Sequence, residues 1–274
     1  MNLNQAQLSF GNDVKVPKFQ PGGLLLSGDK IFYTLQAEGA TIGRPAIFIR
    51  LQNCNLSCNW KNAGGSLCDA FYTWDTTSKD YWTSSLFLPF ADILKEVQKY
   101  PQCKRIVITG GEPLLQQTQI IELFNALPKD YIVEIETNGT ISPDGLINNL
   151  PFEWLDERTQ AMSSWRLQIN CSPKLSSAGD SVEKRIKIAA LRAINAYANS
   201  YFKFVITQDS DIDEVKELLR LVHLDNDKVI LMPEGISNDV LAQRMQTLAE
   251  IAKETGWAVT PRLQIFIWGN KRGT

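Results

Sequence analysis

The cysteines are the residues of this chain best suited to chemistry. Three of the five, Cys54, Cys58 and Cys68, lie within one stretch of fifteen residues, whereas Cys103 and Cys171 stand apart. Three thiolates on one loop can hold a metal ion or an iron–sulfur cluster and leave one coordination position open for a small ligand. The single histidine is far along the chain, so it does not complete a zinc set. Free cysteines are usually scattered through a core, so this grouping predicts a metal or iron–sulfur centre on the three.

Length and composition restrict the class of protein. The chain has 274 residues with 44% hydrophobic and 21% charged content, which is ordinary for a globular protein with a sizeable core. A net charge of -2 argues against nucleic acid as the main partner, because phosphate binding needs a basic surface. We see no signal-peptide pattern and no apolar run of membrane-spanning length. The odd, clustered cysteines suit a reducing compartment, so we expect a cytoplasmic protein without a membrane partner.

Strand-like and helix-like patterns alternate along most of the chain. Apolar runs such as residues 46–51 and 105–108 are each followed by apolar residues at helical spacing. About six such units occur, fewer than the eight of a complete barrel. The alternation predicts an α/β fold with a mostly parallel sheet.

The boundaries of the predicted elements follow from the same pattern. We assign residues 31–274 to a single catalytic domain and residues 1–30, which have few periodic apolar positions, to an N-terminal extension. Within the domain we expect a first short strand at residues 31–36 and a long helical segment at about 182–198. Residues around 76–85 are expected to decorate the domain as an insertion.

Polar or glycine-rich groups occur where the predicted strands stop. The carboxyl ends of parallel strands share one face, so these groups should converge on one cleft, although any one of them could be a simple turn. Gly110-Gly111 can expose backbone groups to a ligand, and Glu112 can accept a hydrogen bond from an ammonium group. Glu136 and Asn138 suit ribose hydroxyls or an amine. The full set is Cys54, Gly110-Gly111-Glu112, Glu136-Thr137-Asn138-Gly139, Ser172-Pro173-Lys174 and Met232-Pro233-Glu234-Gly235.

Some residues near these motifs have two readings. Trp60, Tyr72 and Trp74 can wall a cofactor, but aromatic side chains near a cleft belong to the core just as often. Lys174 is either a ligand-binding cation or ordinary surface charge. His223 lies between Val222 and Leu224 in a helical segment, so we interpret it as structural.

Further motifs accompany the cysteines and Gly110-Gly111-Glu112-Pro113. They are Gln36-Ala37-Glu38-Gly39, Phe48-Ile49-Arg50-Leu51, Cys54-Asn55-Leu56-Ser57-Cys58-Asn59-Trp60, Cys68-Asp69-Ala70-Phe71-Tyr72-Thr73-Trp74, Pro261-Arg262-Leu263 and Trp268-Gly269-Asn270-Lys271-Arg272-Gly273. Together with the strand-end motifs they resemble the radical S-adenosylmethionine superfamily, and within it the 7-carboxy-7-deazaguanine synthases of queuosine and 7-deazapurine biosynthesis. The resemblance runs from about residue 31 to the C-terminus.

The resemblance implies a fold, an activity and cofactors. The fold would be a partial (βα)6-type radical-SAM barrel with the N-terminal extension attached. A [4Fe–4S] cluster on the three cysteines would bind S-adenosylmethionine through its open iron, and reduction would yield a 5′-deoxyadenosyl radical. The substrate would be 6-carboxy-5,6,7,8-tetrahydropterin, converted to 7-carboxy-7-deazaguanine with loss of ammonia. The expected partners are an electron donor such as flavodoxin or ferredoxin and a second subunit in a homodimer.

The resemblance also implies roles for individual residues. Arg50 would pair bidentately with the pterin carboxylate, because guanidinium and carboxylate geometries match. The residues expected to bind S-adenosylmethionine are Trp60, Gly110, Gly111, Glu112, Glu136, Asn138, Ser172, Lys174 and Pro233. Those expected to bind the pterin are Gln36, Glu38, Gly39 and Arg50.

The chain departs from the family pattern in three places. Residues 59–67 separate the second and third cysteines where the family has two residues, and we interpret residues 61–67 as an insertion that still returns Cys68 to the cluster. Ala70 replaces a threonine that helps relatives hold Mg²⁺, which leaves magnesium open, with Asp69 or Thr73 as substitutes. The tail carries Phe266 and Trp268 where some relatives have glutamine and histidine, and Ala37 replaces a usual glycine.

Two other functions remain open at this point. A radical activating enzyme that acts on a partner protein would share the cysteine motif, but the motif at residues 36–39 and the tail count against it. A non-catalytic metal-binding module could hold zinc on the three cysteines with an external fourth ligand. Zinc would give a colourless protein, and an iron–sulfur cluster a brown one.

Overall fold

A computed structural model of the chain describes residues 20–151, 154 and 166–274. Within these residues nine strands form one sheet in the order β3-β1-β2-β4-β5-β6-β7-β8-β9. The described strands are β1 (Gly23–Leu35), β2 (Pro45–Leu51), β3 (Leu86–Pro89), β4 (Arg105–Gly110), β5 (Ile132–Thr137), β6 (Leu167–Cys171), β7 (Ser200–Ile206), β8 (Val229–Pro233) and β9 (Ala258–Val259). The described α-helices are α1 (Lys79–Ser84), α2 (Phe90–Gln98), α3 (Gln117–Ala126), α4 (Asp144–Ile147), α5 (Val182–Arg185), α6 (Ile188–Ala196), α7 (Asp209–Val222), α8 (Asn238–Thr255) and α9 (Leu263–Trp268).

The sheet is mostly parallel, as the sequence predicts. Strands β2, β4, β5, β6, β7, β8 and β9 pair in parallel, whereas β1 pairs antiparallel with both β2 and β3. Six of the parallel strands, β2 and β4 to β8, are each followed by at least one helix before the next parallel strand. The predicted α/β architecture with about six βα units is therefore confirmed, and it sets six strand ends on one face.

The parallel strands are apolar because helices or loops cover them. In β4, Ile106, Val107 and Ile108 are all fully buried, so both faces of that strand lie in the core. From α3, Leu123 and Phe124 pack into the same core cluster. Each fully buried side chain of this size stabilises the fold by roughly 1.5–3 kcal/mol. This packing makes the strands a rigid support for the residues at their ends.

Two predicted boundaries are wrong. The first strand begins at Gly23 rather than at residue 31, because the register between Leu26 and Ile31 shifts and the chain continues past it along β2 and β3. The predicted long helix is two helices, α5 and α6, with an extended Ile186 between them. The helix breaks where buried Arg185 donates to the carbonyl of Lys174. The expected decoration near residues 76–85 contains α1, which buries Tyr81 and Trp82.

The assignment of residues 1–30 to an extension remains a prediction, and residues 1–19 lie outside the described part of the chain. The sheet takes in residues from Gly23 onward, so part of the predicted extension belongs to β1. Among the described helices, none combines the length and the apolar character that crossing a membrane requires.

Candidate active site

The ends of the parallel strands converge on one cavity of about 280 Å³. Each of β2, β4, β5, β6, β7 and β8 contributes lining residues at or just beyond its carboxyl end, and the segment from Gln36 to Glu38 lines the cavity as well. The structure brings thirteen of the predicted site residues to this cavity. They are Gln36, Glu38, Arg50, Cys54, Cys58, Trp60, Cys68, Gly110, Gly111, Glu136, Asn138, Ser172 and Lys174. Glu112, Pro233 and Gly39 do not line it.

The cysteine loop leaves β2 and folds back on itself. Cys58 is buried, and Cys54 and Cys68 are half-buried. The amide of Cys68 donates to the carbonyl of Cys58 at 3.3 Å, and Asn59 and Leu67 form an antiparallel bridge. The predicted insertion therefore returns Cys68 to the cavity that Cys54 and Cys58 also line.

The environment of the three thiols fits an iron–sulfur cluster. Burial raises the pKa of Cys54 to about 11 and that of Cys58 to about 12, and burial also raises the pKa of Cys68. Lys174 acts in the opposite direction on all three, so it is the cation that these thiols share. Such thiols stay protonated until iron displaces their protons, and iron–sulfur clusters are held by cysteine thiolates.

The spacing of the donors bears on the type of centre. No three described histidine, cysteine, aspartate or glutamate side chains lie close enough to hold a single metal ion. A zinc site would need that convergence, whereas each cysteine of a [4Fe–4S] cluster binds a different iron atom. Cys103 contacts the carbonyl of Pro45, and Cys171 lies behind Gly139. The cavity therefore offers three cysteines, which leaves one iron of a cluster without a protein ligand.

The Gly110-Gly111 pair allows close contact with another part of the chain, whereas the sequence predicted close contact with a ligand. A Cβ on Gly110 would lie 2.2 Å from the carbonyl oxygen of Leu51, and one on Gly111 would lie 2.0 Å from that of Asn53. Both glycines therefore let β4 approach the backbone that enters the cysteine loop. They still line the cavity, so their backbone groups face its interior.

Glu112 is fully buried, and its carboxylate bonds to the chain itself. It accepts hydrogen bonds from the amide of Leu114 at 2.9 Å, the hydroxyl of Thr137 at 2.8 Å and the amide of Asn138 at 2.6 Å. Burial raises the pKa of Glu112, and these donors partly offset that effect. The structure thus ties the end of β4 to the end of β5 through Glu112, and it does not place this carboxylate on the cavity wall.

The other predicted cofactor residues hold the cysteine loop and the β6 end. Asn138 directs its side-chain amide toward the sulfur of Cys54 at 3.8 Å and the oxygen of Asn55 at 2.9 Å. The ammonium group of Lys174 donates to the hydroxyl of Ser172 at 2.9 Å. Trp60 packs beside Cys58 in a small apolar cluster. Pro233 is the buried last residue of β8.

Three of the four predicted substrate residues, Gln36, Glu38 and Arg50, line the same cavity. Gln36 donates through Nε2 to Glu134 at 3.0 Å and to Glu136 at 3.1 Å. Gly39 lies outside the cavity, and its amide donates to the hydroxyl of Thr260. Arg50 stacks its guanidinium 5.5 Å from the ring centre of Phe32, and its buried Nε lacks any hydrogen-bond partner among the described residues. An arginine that lines a cavity and has no carboxylate partner among the described residues favours an anionic ligand.

A buried ionic network around Glu38 was not predicted. Lys203 of β7 donates to Glu38 at 2.7 Å and to Glu136 at 3.4 Å. Arg262 also pairs with Glu38, at 3.2 Å, and Gln264 donates to it at 2.7 Å. Burial alone would raise the pKa of Glu38, but Lys203 and Arg262 outweigh it and hold that pKa well below its usual range. Glu38 is therefore a carboxylate whose charge the fold stabilises.

Glu136 belongs to the same network. Its pKa is raised by burial and by the nearby carboxylates Glu134 and Glu38, although Lys203 acts against them. Asn170 donates to Glu136 at 2.9 Å and to Glu134 at 3.1 Å. Glu134 is itself fully buried and ion-paired with Arg105. The signal that could have revealed these residues is a charged residue within an otherwise apolar strand, since such a residue is seldom buried unless paired.

The donor set does not fit a magnesium ion. Ala70 has no side-chain oxygen, and Thr73, fully buried, donates its hydroxyl to the carbonyl of Ala70 at 2.7 Å. Asp69 pairs with Arg262. Each side-chain carboxylate among the described residues lining the cavity already has a cationic partner, and these are Glu38, Asp69, Glu136 and Glu234. Mg²⁺ is usually held through one or two carboxylates, whereas here Asp69 is engaged by Arg262 and Thr73 by the carbonyl of Ala70.

Comparison with known proteins identifies the family. No protein-family model matches the chain. Over 270 residues the chain is 32% identical to the 7-carboxy-7-deazaguanine synthase of Halobacterium salinarum, covering 90% of this chain and 92% of that protein. It is 30% identical over 245 residues to the synthase of the same name from Pyrobaculum aerophilum, covering 89% and 95% of the two chains. The chain belongs to the 7-carboxy-7-deazaguanine synthase family.

Membership confirms the resemblance drawn from the motifs. The chain is a radical S-adenosylmethionine enzyme of 7-deazapurine biosynthesis, and a [4Fe–4S] cluster and S-adenosylmethionine are the cofactors that this membership implies. The crystal structure of QueE from Escherichia coli has the same fold, with a TM-score of 0.60 at 24% identity, covering 86% of this chain and 93% of that one. The expected radical-SAM fold is therefore confirmed.

Proposed function

We propose that this cavity converts 6-carboxy-5,6,7,8-tetrahydropterin to 7-carboxy-7-deazaguanine with loss of ammonia. The observation that carries the proposal is that two kinds of residue line one cavity. Cys54, Cys58 and Cys68 line it, and so do Glu38 and Arg50. A cofactor-derived radical and a carboxylated, amine-rich substrate would thus meet in the same cavity.

The part of the cavity lined by the three cysteines would hold the cofactors. We assign the cluster to Cys54, Cys58 and Cys68, and when bound it would supply, with S-adenosylmethionine, a carbon-centred radical that abstracts hydrogen. Backbone groups of Gly110 and Gly111 would face the bound nucleoside. The side chains that complete this site in the proposal are Trp60, Asn138, Ser172 and Lys174, which all line the cavity.

Arg50, Glu38 and Gln36 would orient the pterin. Arg50 lines the cavity and would pair through the end of its guanidinium group with the substrate carboxylate. Glu38 would accept from the amino groups of the pterin, because its charge is stabilised by Lys203 and Arg262. Gln36 holds the carboxylates of Glu134 and Glu136 in place from the same side. No step in this proposal requires Mg²⁺, since the donors present do not suit that ion.

Loss of ammonia requires that a proton reach the departing nitrogen. Glu136 and Lys203 both line the cavity, and the ammonium of Lys203 donates to Oε2 of Glu136 at 3.4 Å, so Lys203 is the member of the pair that carries the proton. We propose that this carboxyl group and the ammonium of Lys203 supply the polar contacts around the leaving amine. Glu38 is less suited to that step, because its ion pairs hold its pKa low.

The test is an anaerobic turnover assay with the reconstituted, reduced enzyme. We expect 7-carboxy-7-deazaguanine and 5′-deoxyadenosine by mass spectrometry from 6-carboxytetrahydropterin and S-adenosylmethionine. Cys68→Ala should lose the cluster absorbance, whereas Cys103→Ala, a matched change outside the cavity, should keep it. Formation of 5′-deoxyadenosine without the deazaguanine would overturn the substrate assignment. Full cluster content in Cys68→Ala would overturn the ligand assignment.

We also propose that the enzyme takes electrons from a carrier such as flavodoxin or ferredoxin in the cytoplasm. Ser57, Asn59 and Lys61 are exposed, so the cysteine loop lies at the surface within reach of a carrier. All five cysteines are free, as expected in a reducing compartment. Turnover with a reduced carrier in place of a chemical reductant tests the first part of this proposal. Turnover with the chemical reductant but none with the reduced carrier would count against it.

We propose a homodimer that buries the apolar face of α9. Phe266 is 71% exposed, and Ile267 and Trp268 beside it are also exposed, which is unusual for three consecutive apolar side chains. A second copy packed over this face would remove them from water. Light scattering should give a dimer mass for the wild type and a monomer for Phe266→Glu. A monomeric wild type would refute the proposal.

A further inference from the structure

The seven-residue insertion between Cys58 and Cys68 is held in place from outside the cysteine loop. Its stem is a short hairpin in which the amide of Trp60 donates to the carbonyl of Ser66, and the amide of Gly65 to that of Trp60, both at 2.9 Å. These bonds join the two sides of the insertion to each other. They do not by themselves fix the hairpin relative to the sheet.

Glu234 provides that anchor. It follows β8, its side chain is 5% exposed, and one carboxylate oxygen accepts from both the amide and the hydroxyl of Ser66, at 3.0 and 2.7 Å. The amide of Glu234 donates to the carbonyl of Ile206 at 2.9 Å, so the residue is fixed between the ends of β7 and β8. The insertion is thus bonded directly to the rigid part of the fold.

Arg244 of α8 completes the contact. Its Nη1 donates to the second carboxylate oxygen of Glu234 at 2.7 Å and to the main-chain carbonyl of the same residue. Its Nη2 reaches the carbonyl of Gly64 at 3.3 Å. One guanidinium therefore holds both the anchoring carboxylate and the tip of the insertion.

Gly65 shows how closely the insertion fits this anchor. A Cβ at that position would lie 2.7 Å from the carboxylate of Glu234 and 2.7 Å from Cβ of Trp60. Any side chain at Gly65 would push the hairpin away from Glu234. The contact thus depends on the residue type at the tip as well as on the ion pair.

We propose that Glu234 and Arg244 form a clamp that holds the insertion and thereby positions Cys68 as a cluster ligand. The inference rests on the proposed function, in which Cys68 binds the cluster. Ten residue steps separate Cys58 from Cys68, against three in a loop without residues 61–67. Loop-closure entropy makes a free loop of the longer kind return its end about sixfold less often. The clamp offsets this loss, so both residues are positioning residues rather than catalytic ones.

The test measures how fast a chelator removes iron from the reconstituted enzyme. Arg244→Ala should lose cluster iron about sixfold faster than the wild type, because the insertion is released. Arg244→Lys should recover part of the retention. Arg220→Ala removes an exposed arginine that pairs with Glu217 on α7, and it should behave as the wild type. Thermal unfolding of each variant without iron shows whether it folds.

The decisive comparison uses a chain that lacks residues 61–67. In that background Arg244→Ala should have no further effect on iron loss, because no insertion remains to be held. If the shortened chain does not fold, Gly65→Ala replaces it, and the double variant Gly65→Ala/Arg244→Ala should lose iron no faster than either single variant.

Three results would overturn the proposal that Glu234 and Arg244 hold the insertion. They are wild-type iron retention in Arg244→Ala, an equal effect of that change in the shortened chain, and additive effects with Gly65→Ala. Cys68→Ala in the same assay separates this failure from that of the proposed function. If Cys68→Ala keeps its iron, the ligand assignment itself is wrong. If it loses iron while Arg244→Ala does not, only the clamp is wrong.

Discussion

Lys203 offers the sharpest test of the buried ionic network around Glu38 and Glu136. Its side chain is 9% exposed, and it is the cation that Glu38 and Glu136 share. Replacing it with methionine keeps the aliphatic stem and removes the charge. Removing one partner of a buried ion pair costs about 3–5 kcal/mol, because the other charge stays buried without compensation. Glu38 keeps Arg262, so we expect the lower end, about 3 kcal/mol.

The measurement is thermal unfolding of the reconstituted enzyme under anaerobic conditions, followed by circular dichroism. A loss of about 3 kcal/mol should lower the midpoint by about 6 °C in a chain of this size. Lys253→Met is the matched control, since Lys253 pairs with Glu250 where both side chains are about 70% exposed. Such an exposed pair contributes about 0.5 kcal/mol or less.

The pH dependence of the stability loss gives a second, independent test. Burial already raises the pKa of Glu136, and removing Lys203 should raise it further. A carboxyl whose folded-state pKa is raised favours folding when it is protonated and loses that contribution as pH rises. The destabilisation by Lys203→Met should therefore be smaller at about pH 6 than at about pH 8.

A double variant completes the test. Lys203→Met/Glu136→Gln should be more stable than Lys203→Met alone, because the neutral amide leaves no unpaired charge at that position. Equal losses for Lys203→Met and Lys253→Met would refute the buried-pair reasoning. A double variant that simply adds the two losses would show that Glu136 does not depend on Lys203.

Three further predictions concern the site. Turnover and pterin affinity should not change when Mg²⁺ is chelated, because every side-chain carboxylate lining the described cavity is already paired with a cation. A large loss of activity on chelation would contradict this expectation. Arg50→Lys should raise KM for the carboxylated pterin about tenfold through loss of a bidentate charged contact. A pterin without the carboxylate should show no such change in steady-state assays. Gly111→Ala should destabilise the fold by about 1–3 kcal/mol, because its Cβ would meet the carbonyl of Asn53 at 2.0 Å. Gly145→Ala, which meets only the flexible side chain of Gln117, should be nearly neutral in the same denaturation experiment.

The positions of the strand ends could be predicted from the sequence because the signal is local. Apolar runs stop at Gly110 and at Thr137, and parallel pairing then brings those ends to one face. The cysteine motif could be recognised in the same way, since its ligands are close in sequence. What the sequence conveys poorly is the direction of a side chain. Glu112 faces back to cap the turn that follows it, although its position in the motif suggested a ligand contact.

The ionic network could not be predicted, because its members are far apart along the chain. Lys203 and Glu38 are separated by 165 positions, and Arg262 and Glu38 by 224. A lysine between Phe202 and Phe204 does indicate a buried partner. The identity of that partner depends on the order of strands in the sheet and on the path of the tail, which no local pattern specifies.

The structure also changes which ligand Glu136 should affect. Its position at the carboxyl end of β5 suggested the ribose of S-adenosylmethionine, yet its contacts are Gln36 at 3.1 Å, Asn170 at 2.9 Å and Lys203 at 3.4 Å. Gln36 and Lys203 connect it to Glu38, the carboxylate proposed to bind the pterin. Glu136→Gln should therefore weaken pterin binding or slow its turnover.

The same change should leave the affinity for S-adenosylmethionine nearly unchanged. Equilibrium binding of each ligand to the reconstituted enzyme separates the two, and Asn138→Ala serves as the contrasting variant, because Asn138 contacts the cysteine loop instead. Asn138→Ala should weaken S-adenosylmethionine more than the pterin. If Glu136→Gln weakens S-adenosylmethionine binding and spares pterin binding, the contacts of Glu136 within the chain do not indicate the ligand it serves, and its position at the end of β5 was the better guide.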